Sequence, residues 1–204
     1  GDELWIVEHP AVYTLGQAGS VQHILGVPSV DVVHSDRGGQ VTYHGPGQVI
    51  LYVLLELRPL GLSVRQLVSV LEQTAIDFLG HCGLCGERRP GAPGVYVGGR
   101  KIAALGLRVS RGCSYHGLSF NVDMDLTPFE GIDPCGYSDL EVTQLRALGV
   151  GVSVVEVGRW LSSRCAELIG TALNDVQEPS TSDGVESHTM IHRTYTPADP
   201  GTPS

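Results

Sequence analysis

The sequence predicts an α/β fold, a mixed β-sheet with helices packed on it. Three observations predict it. Short runs of strand composition crowd the first 57 residues. Two long segments with apolar residues at helical spacing each open on a capping box. A Gly98-Gly99 pair joins two further strand-like runs.

Residues 4–7 and 12–15 read as short strands around His9-Pro10, and residues 30–34 as a third that delivers the chain to a glycine-rich stretch. Residues 49–57 (VILYVLLEL) form a continuous apolar run, the pattern of a buried strand. After Gly61, Ser63 and Gln66 have capping-box spacing. Leu67, Val68, Leu71, Ala75, Ile76 and Leu79 follow at helical spacing up to Gly80 and Gly83, an amphipathic helix of about five turns. Residues 95–97 and 101–109 read as a hairpin, because paired glycines supply the positive φ values of a two-residue turn; Lys101 begins its second strand. Residues 115–122 form another strand after the Arg111-Gly112 break, residues 123–137 a polar connection containing Cys135, and residues 142–148 a short helix. Ser153 and Glu156 make a second capping box before the final helix, with Val157, Trp160, Leu161, Ala166, Leu168, Ile169 and Leu173 on its apolar face. From Asn174 onward the periodicity dissolves, so one domain over residues 1–173 and a disordered tail over 174–204 are expected.

Composition narrows the function. A chain of 204 residues with 42% hydrophobic content is long enough for one well-buried core. A formal charge of −9 argues against nucleic-acid binding, which needs a basic face. No apolar run approaches the roughly 20 residues of a membrane helix, and no charged-then-apolar leader is visible, so a soluble, cytoplasmic protein without membrane association is expected. The chain opens on Gly1-Asp2-Glu3 without a methionine, which points to a segment preceding it. Five cysteines, at positions 82, 85, 113, 135 and 165, are an odd number and fit a reducing compartment better than a disulfide framework.

Of thirteen cations, twelve are arginine; Lys101 is the sole lysine. Lysine differs from arginine in being able to lose its proton when buried, so a lone lysine in an arginine-using chain is a candidate for chemistry. The stretch 37–48, RGGQVTYHGPGQ, reads as a functional loop. Its glycines let a ligand approach bare backbone, while Gln40, Thr42, Tyr43 and His44 offer donors and acceptors. Cys135 lies between Pro134 and Gly136, an exposed setting that suits a nucleophile, and His44, His116 or Lys101 would serve as its activating partner. Residues 88–111 hold six cations and no Asp or Glu, a basic island on an acidic protein and a candidate docking face for an acidic partner; solvated strand arginines are the plainer explanation. Cys82-x-x-Cys85 has no second ligand pair at zinc spacing, so no metal site is expected. No phosphate-binding loop or dinucleotide fingerprint occurs.

The motifs RGGQVTYHGPGQ, GVYVGGRKIAALGLRVSRGCSYHGLSFNV and PCGY, in that order, closely resemble the octanoyl (lipoyl) transferases that begin protein lipoylation. The resemblance implies the α/β fold of the biotin and lipoate protein ligases. It also implies an acyltransferase that moves an octanoyl group from acyl carrier protein to a lysine of lipoyl domains, in the E2 subunits of oxo-acid dehydrogenases and in the glycine cleavage H protein. Carried over by residue, the nucleophile falls on Cys135 and its activating lysine on Lys101, a Cys/Lys dyad. Acyl binding falls on Arg37, Gly38, Gly39, Gln40, Val41, Thr42, Tyr43 and His44, on Ala104, Leu105 and Gly106, and on Gly117, Leu118 and Ser119. A thioester is already activated, so the resemblance implies no metal, no ATP and no bound cofactor; the acyl donor carries its own phosphopantetheine. An ATP-dependent ligase of the same fold would keep the lysine without needing Cys135, and a non-catalytic carrier-binding protein would form no covalent intermediate.

Overall fold

Along β5 (Gln48–Leu54) Val49, Leu51 and Val53 are fully buried, and along β10 (Gly117–Asn121) so are Leu118 and Phe120. The strands pair antiparallel with Leu118 opposite Leu51 and Phe120 opposite Val49, so alternation gathers these side chains on one face. The structure, a computed structural model, describes residues 1–26, 28, 30–133 and 141–176. Its main sheet runs β1 (Glu3–Val7), β5, β10, β7 (Arg100–Leu105), β6 (Val95–Val97), antiparallel throughout.

Helices α1 (Val64–His81) and α2 (Val154–Val176) cover the apolar face. Leu67, Leu71 and Leu79 of α1 and Val157 and Leu161 of α2 are fully buried there. Phe78 meets Phe120 and Trp160 edge-on, at 5.5 and 5.2 Å between ring centroids. Both predicted capping boxes form. Ser63 Oγ accepts from Gln66 N while Ser63 N donates to Gln66 Oε1, and Ser153 and Glu156 repeat the exchange.

A smaller mixed sheet, β3 (Asp31–His34), β2 (Val12–Leu15), β4 (Val41–His44), packs over its own core of Tyr13, Leu15, Val41, Tyr43, Met124 and Ile132. The ribbon β8 (Arg108–Ser110) and β9 (Cys113–Tyr115) completes the strands. Among the described residues no helix is long and apolar enough to cross a membrane.

Several boundaries differ from the sequence expectation. Residues 41–44, expected inside a loop, pair with β2. The single strand expected over 101–109 is β7 and β8, and that over 115–122 is β9 and β10. The second break is at His116, whose φ of 63° turns the chain from ribbon to main sheet. The helix expected over 142–148 shrinks to a 3-10 turn at Arg146–Leu148, because Val142 pairs with Lys101 as a strand residue. α2 continues past Asn174 to Val176; residues 177–204, most of the expected tail, lie outside the described residues.

Phe120 is fully buried between the helices and the sheet. Phe120→Ala should cost about 3–5 kcal/mol, read as a lower urea midpoint. Val155→Ala, at an exposed site of α2, should leave that midpoint nearly unchanged.

Candidate active site

The face of the main sheet that the helices leave uncovered carries Gln48, Ile50 and Tyr52 from β5, Gly117, Ser119 and Asn121 from β10, and Ala104 from β7. All line a cleft of about 1850 Å³, as outlined by the described residues. Strand alternation alone produces this floor. Its opposite wall is the small sheet and the turn that precedes β4.

Lys101 reaches the cleft through an irregularity. β6 pairs Val95 with Ala103 but Tyr96 with Lys101, so Ile102 is an extra residue in β7. Ile102 and Ala103 both face the core, and Lys101 emerges on the side of Ala104, where it lines the cleft. A bulge re-aims a side chain in this way. Lys101 Nζ donates to Pro93 O at 3.3 Å and stands 5.3 Å from the Tyr96 ring centroid. Residue 94 must be glycine for this packing. A Cβ there would lie 2.6 Å from Ala103 O and 3.1 Å from Lys101 Cε, and its φ is 137°. Glu72, a buried carboxylate of α1, pins the same loop at two points: it accepts from Gly94 N at 3.1 Å and from Arg88 Nε at 3.0 Å.

The Lys101 backbone is tied to residues 141–143, which follow Cys135 in the sequence. Lys101 N donates to Glu141 O and Thr143 N to Lys101 O, both at 2.8 Å. Cys135 itself lies outside the described residues.

Arg37 is turned inward. Nε donates to Thr14 Oγ1 (2.9 Å), Nη1 to Gly38 O (2.9 Å), and Nη2 to Thr14 O (2.6 Å) and Gln40 O (2.7 Å). It fastens the glycine turn to β2 and stays cationic at neutral pH, although burial lowers its pKa to about 10. Gly16 admits this arrangement: a Cβ there would meet Gly39 O at 2.3 Å and Arg37 Nη1 at 2.8 Å.

Four histidines line the cleft, His9, His34, His44 and His116, and three of them are held by a polar partner. His44 Nδ1 lies 2.8 Å from Gln48 Oε1, His9 Nε2 lies 2.8 Å from Tyr52 Oη, and His116 Nε2 lies 2.8 Å from Asp36 Oδ1. Burial pushes the His44 pKa down to about 4 and lowers that of His9. The bonds from His116 and then Tyr115 hold the Asp36 carboxyl below its ordinary value.

Of the residues the sequence singled out, Arg37, Gly38, Gly39, Gln40, Val41, Thr42, His44, Ala104, Leu105, Gly106, Gly117, Leu118 and Ser119 line the cleft together with Lys101. Gln40 Oε1 is buried there with no hydrogen bond among the described residues, an acceptor that a ligand would satisfy. The side chains of Tyr43 and Leu118 turn away, Tyr43 into the small core against Tyr13 and Phe129, and Leu118 into the main core. The basic island is not a set of free charges. Arg88 is paired with Glu72, and Arg89 donates to Gly99 O at 2.7 Å and stacks 4.4 Å from the Tyr96 centroid. Burial raises the thiols of Cys82 and Cys165, that of Cys165 to about 12, which disfavours the thiolate at both. Among the described residues no group of His, Cys, Asp or Glu is placed to hold a metal ion. The sequence reading passed over Asn121, Tyr52 and Glu72. For Asn121 the signal was present, since it alternates with Ser119 along β10.

The fold is shared with protein ligases that handle lipoate and biotin. Lipoate-protein ligase A bound with ATP superposes with a TM-score of 0.68 at 13% identity, over 86% of this chain and 81% of that one. Biotin protein ligase from Aquifex aeolicus in complex with biotin and ATP gives 0.55 at 16% identity, over 79% and 72%. Likeness at such identities is of fold alone. Residues 1–165 match the lipoyl protein ligase A/B catalytic domain. An octanoyltransferase of Dechloromonas aromatica is 59% identical over 161 residues, which cover 79% of this chain and 78% of the relative. One from Xanthomonas campestris pv. campestris is 56% identical over 173 residues, covering 85% and 75%. The chain belongs to the octanoyltransferase family and is an acyltransferase.

His44 titrates near 6.5 when unfolded and near 4 when folded. Between those values the unfolded chain binds the extra proton, so folding stability should fall as the pH drops from 6.5 toward 4. His44→Asn should flatten part of that slope in urea titrations at pH 5 and 7; His9, whose pKa burial also lowers, contributes in the same direction. Identical slopes for variant and parent would contradict the assignment.

Proposed function

We propose that the protein moves an octanoyl group from the phosphopantetheine thioester of acyl carrier protein to a lysine of a lipoyl domain, in an oxo-acid dehydrogenase E2 subunit or the glycine cleavage H protein, by way of a thioester on Cys135. The observation that carries this reading is the placement of the sole lysine. A bulge delivers Lys101 to the cleft, and its backbone N–H and C=O are both bonded to residues 141–143, a few positions after Cys135 in the sequence.

The chemistry runs in two halves. The Cys135 thiolate attacks the thioester carbonyl, the pantetheine thiolate leaves and takes up a proton, and the acyl group is left on sulfur. The acceptor amine then attacks that carbonyl, the C–S bond breaks, and an amide and the free cysteine result. A free cysteine is only a few per cent thiolate at pH 7, and an ammonium nearby contributing about 2 kcal/mol lowers its pKa by roughly 1.5. Once the sulfur is acylated that charge is gone. The lysine, beside an apolar chain, then gives up its proton more readily and accepts one from the attacking amine. Backbone N–H groups of the glycine turn or beside Lys101 are the candidate oxyanion donors.

The acyl chain fits the middle of the floor, where small Ala104 faces small Ser119 across the β7–β10 pair beside Ile50. Of the basic island, Arg100 lines the cleft and Arg111 is exposed, and these charges would meet an acidic carrier.

Intact-protein mass after mixing with octanoyl carrier protein should rise by one octanoyl group without ATP. Cys135→Ser should abolish the rise and Cys113→Ser should not; a rise that needs ATP would indicate a ligase instead. Lys101→Arg, which cannot lose its proton, should retain part of the acylation half-reaction while transfer to the lipoyl domain is nearly lost. Equal proportional losses in both halves would remove the switching role of Lys101. Ala104→Leu should lower octanoyl acylation about tenfold relative to butanoyl, since a methylene in an apolar pocket is worth about 1–3 kcal/mol; an unchanged chain-length preference would place the chain elsewhere.

A further inference from the structure

A line of polar groups runs under the cleft, and their chemistry leaves one way to assign the protons. It starts at a backbone carbonyl. Thr143 O accepts from Asn121 Nδ2 at 2.9 Å. A carbonyl only accepts, so Asn121 is oriented with Oδ1 on the other side. Asn121 Oδ1 accepts from Gln48 Nε2 at 2.9 Å, which turns Gln48 Oε1 toward His44 Nδ1, 2.8 Å away. An amide oxygen cannot donate, hence the proton of this pair sits on His44 Nδ1. The ring is neutral at physiological pH because burial depresses its pKa, and Arg37, His9 and His116, the charged or titratable groups that act on it, each disfavour protonation further. Nε2 is then a bare lone pair. It has no hydrogen bond among the described residues, and His44 lines the cleft.

The far end of the line meets Lys101. Thr143, whose carbonyl holds Asn121, also donates its N–H to Lys101 O at 2.8 Å, and Asn121 O accepts from Leu145 N at 3.2 Å. Gln48 and Asn121 are almost wholly buried, 1% and 5% exposed, so neither has water as an alternative partner. A purely apolar pair would fill this part of the floor at less desolvation cost.

We propose that Gln48 and Asn121 are positioning residues that fix His44 with its proton on Nδ1, so that Nε2 accepts a hydrogen bond from a substrate N–H in the cleft. The identity of that N–H rests on the acyl-transfer reading. Two sources exist in the reaction: the attacking primary amine and the amides of the donor's pantetheine arm.

The tautomer is tested on the free protein, independently of any reaction. Two-bond ¹H–¹⁵N correlation of the histidine rings at pH 7 should show His44 protonated at Nδ1 and bare at Nε2, and Gln48→Leu should shift the ring toward the Nε2–H form. A wild-type ring protonated at Nε2 would overturn the proposal even if acyl transfer is established. Kinetics test the acceptor. His44→Asn keeps a donor for Gln48 and withdraws the Nε2 acceptor, so kcat/KM should fall about tenfold, the size of one lost hydrogen bond. His44→Gln, which reaches further with an amide oxygen, should recover part of that loss. A fall in enzyme acylation identifies the pantetheine amides, a fall in transfer the amine; no fall in either half, or no difference between the two variants, refutes the role. Gln48→Glu sets a carboxylate against Nδ1, favours the imidazolium and makes Nε2 a donor. Its rate relative to wild type should therefore drop as pH is lowered from 8 to 6, and a flat ratio, which a merely structural role predicts, counts against the proposal.

Discussion

Three strands, β5, β10 and β7, are covered by helices on one side only, and the rest of the molecule answers to that constraint. Val49, Leu51, Val53, Leu118, Phe120 and Ala103 take the covered face and are almost fully buried. Their neighbours in sequence are forced onto the other face, where no helix packs. That face supports a cleft only because its central residues, Ser119, Ala104 and Gly117, are small. Its polar members, Gln48 and Asn121, satisfy each other: a buried amide left unpaired costs about 1–3 kcal/mol, so the two stand or fall as a pair. Stability and site thus use alternate residues of the same strands, and a change on one face is felt on the other through a backbone they share.

On either side of this floor an ionised group buried by the fold holds a turn in place. Arg37 gathers the carbonyl oxygens of Thr14, Gly38 and Gln40 and so shapes the glycine turn from within. Glu72 does the complementary task, accepting from Gly94 N and Arg88 and holding the loop whose Pro93 carbonyl meets the Lys101 ammonium. Each charge is matched by several hydrogen bonds, the condition under which a buried ion is tolerated. The walls of the cleft are therefore preorganised, as electrostatic catalysis requires, and the chemistry is left to groups that can change protonation state.

Local signals carried a large part of this structure. The Ser63-x-x-Gln66 and Ser153-x-x-Glu156 pairs located both helix starts, because a capping box is satisfied within four residues. Gly98 and Gly99, at φ of 55° and 84°, made the hairpin turn for the same reason. Where local pattern and long-range pairing competed, pairing won. Residues 41–44 look like loop because they sit among glycines, yet β2 supplies partners for their backbone. Val142 looks helical, yet Lys101 bonds its neighbours. Nothing in the sequence around His116 signals a turn, and the need to leave the ribbon for the main sheet accounts for its positive φ.

The sequence by itself determined which residues were available for chemistry: one lysine among thirteen cations and a glycine-rich turn with polar side chains. It also determined the family, since three separated motifs occur in order. The tertiary structure alone decided where those residues point. Lys101 belongs to the cleft and not the core because one extra residue in β7 reverses the phase of alternation. Arg37 faces inward because β2 and the glycine turn offer it four oxygen contacts at once. Gln48 and Asn121, 73 residues apart, meet only because antiparallel register sets them opposite. Direction and partnership arise from contacts between distant segments, and strand register, bulges and buried ion contacts come into being only when those segments pack.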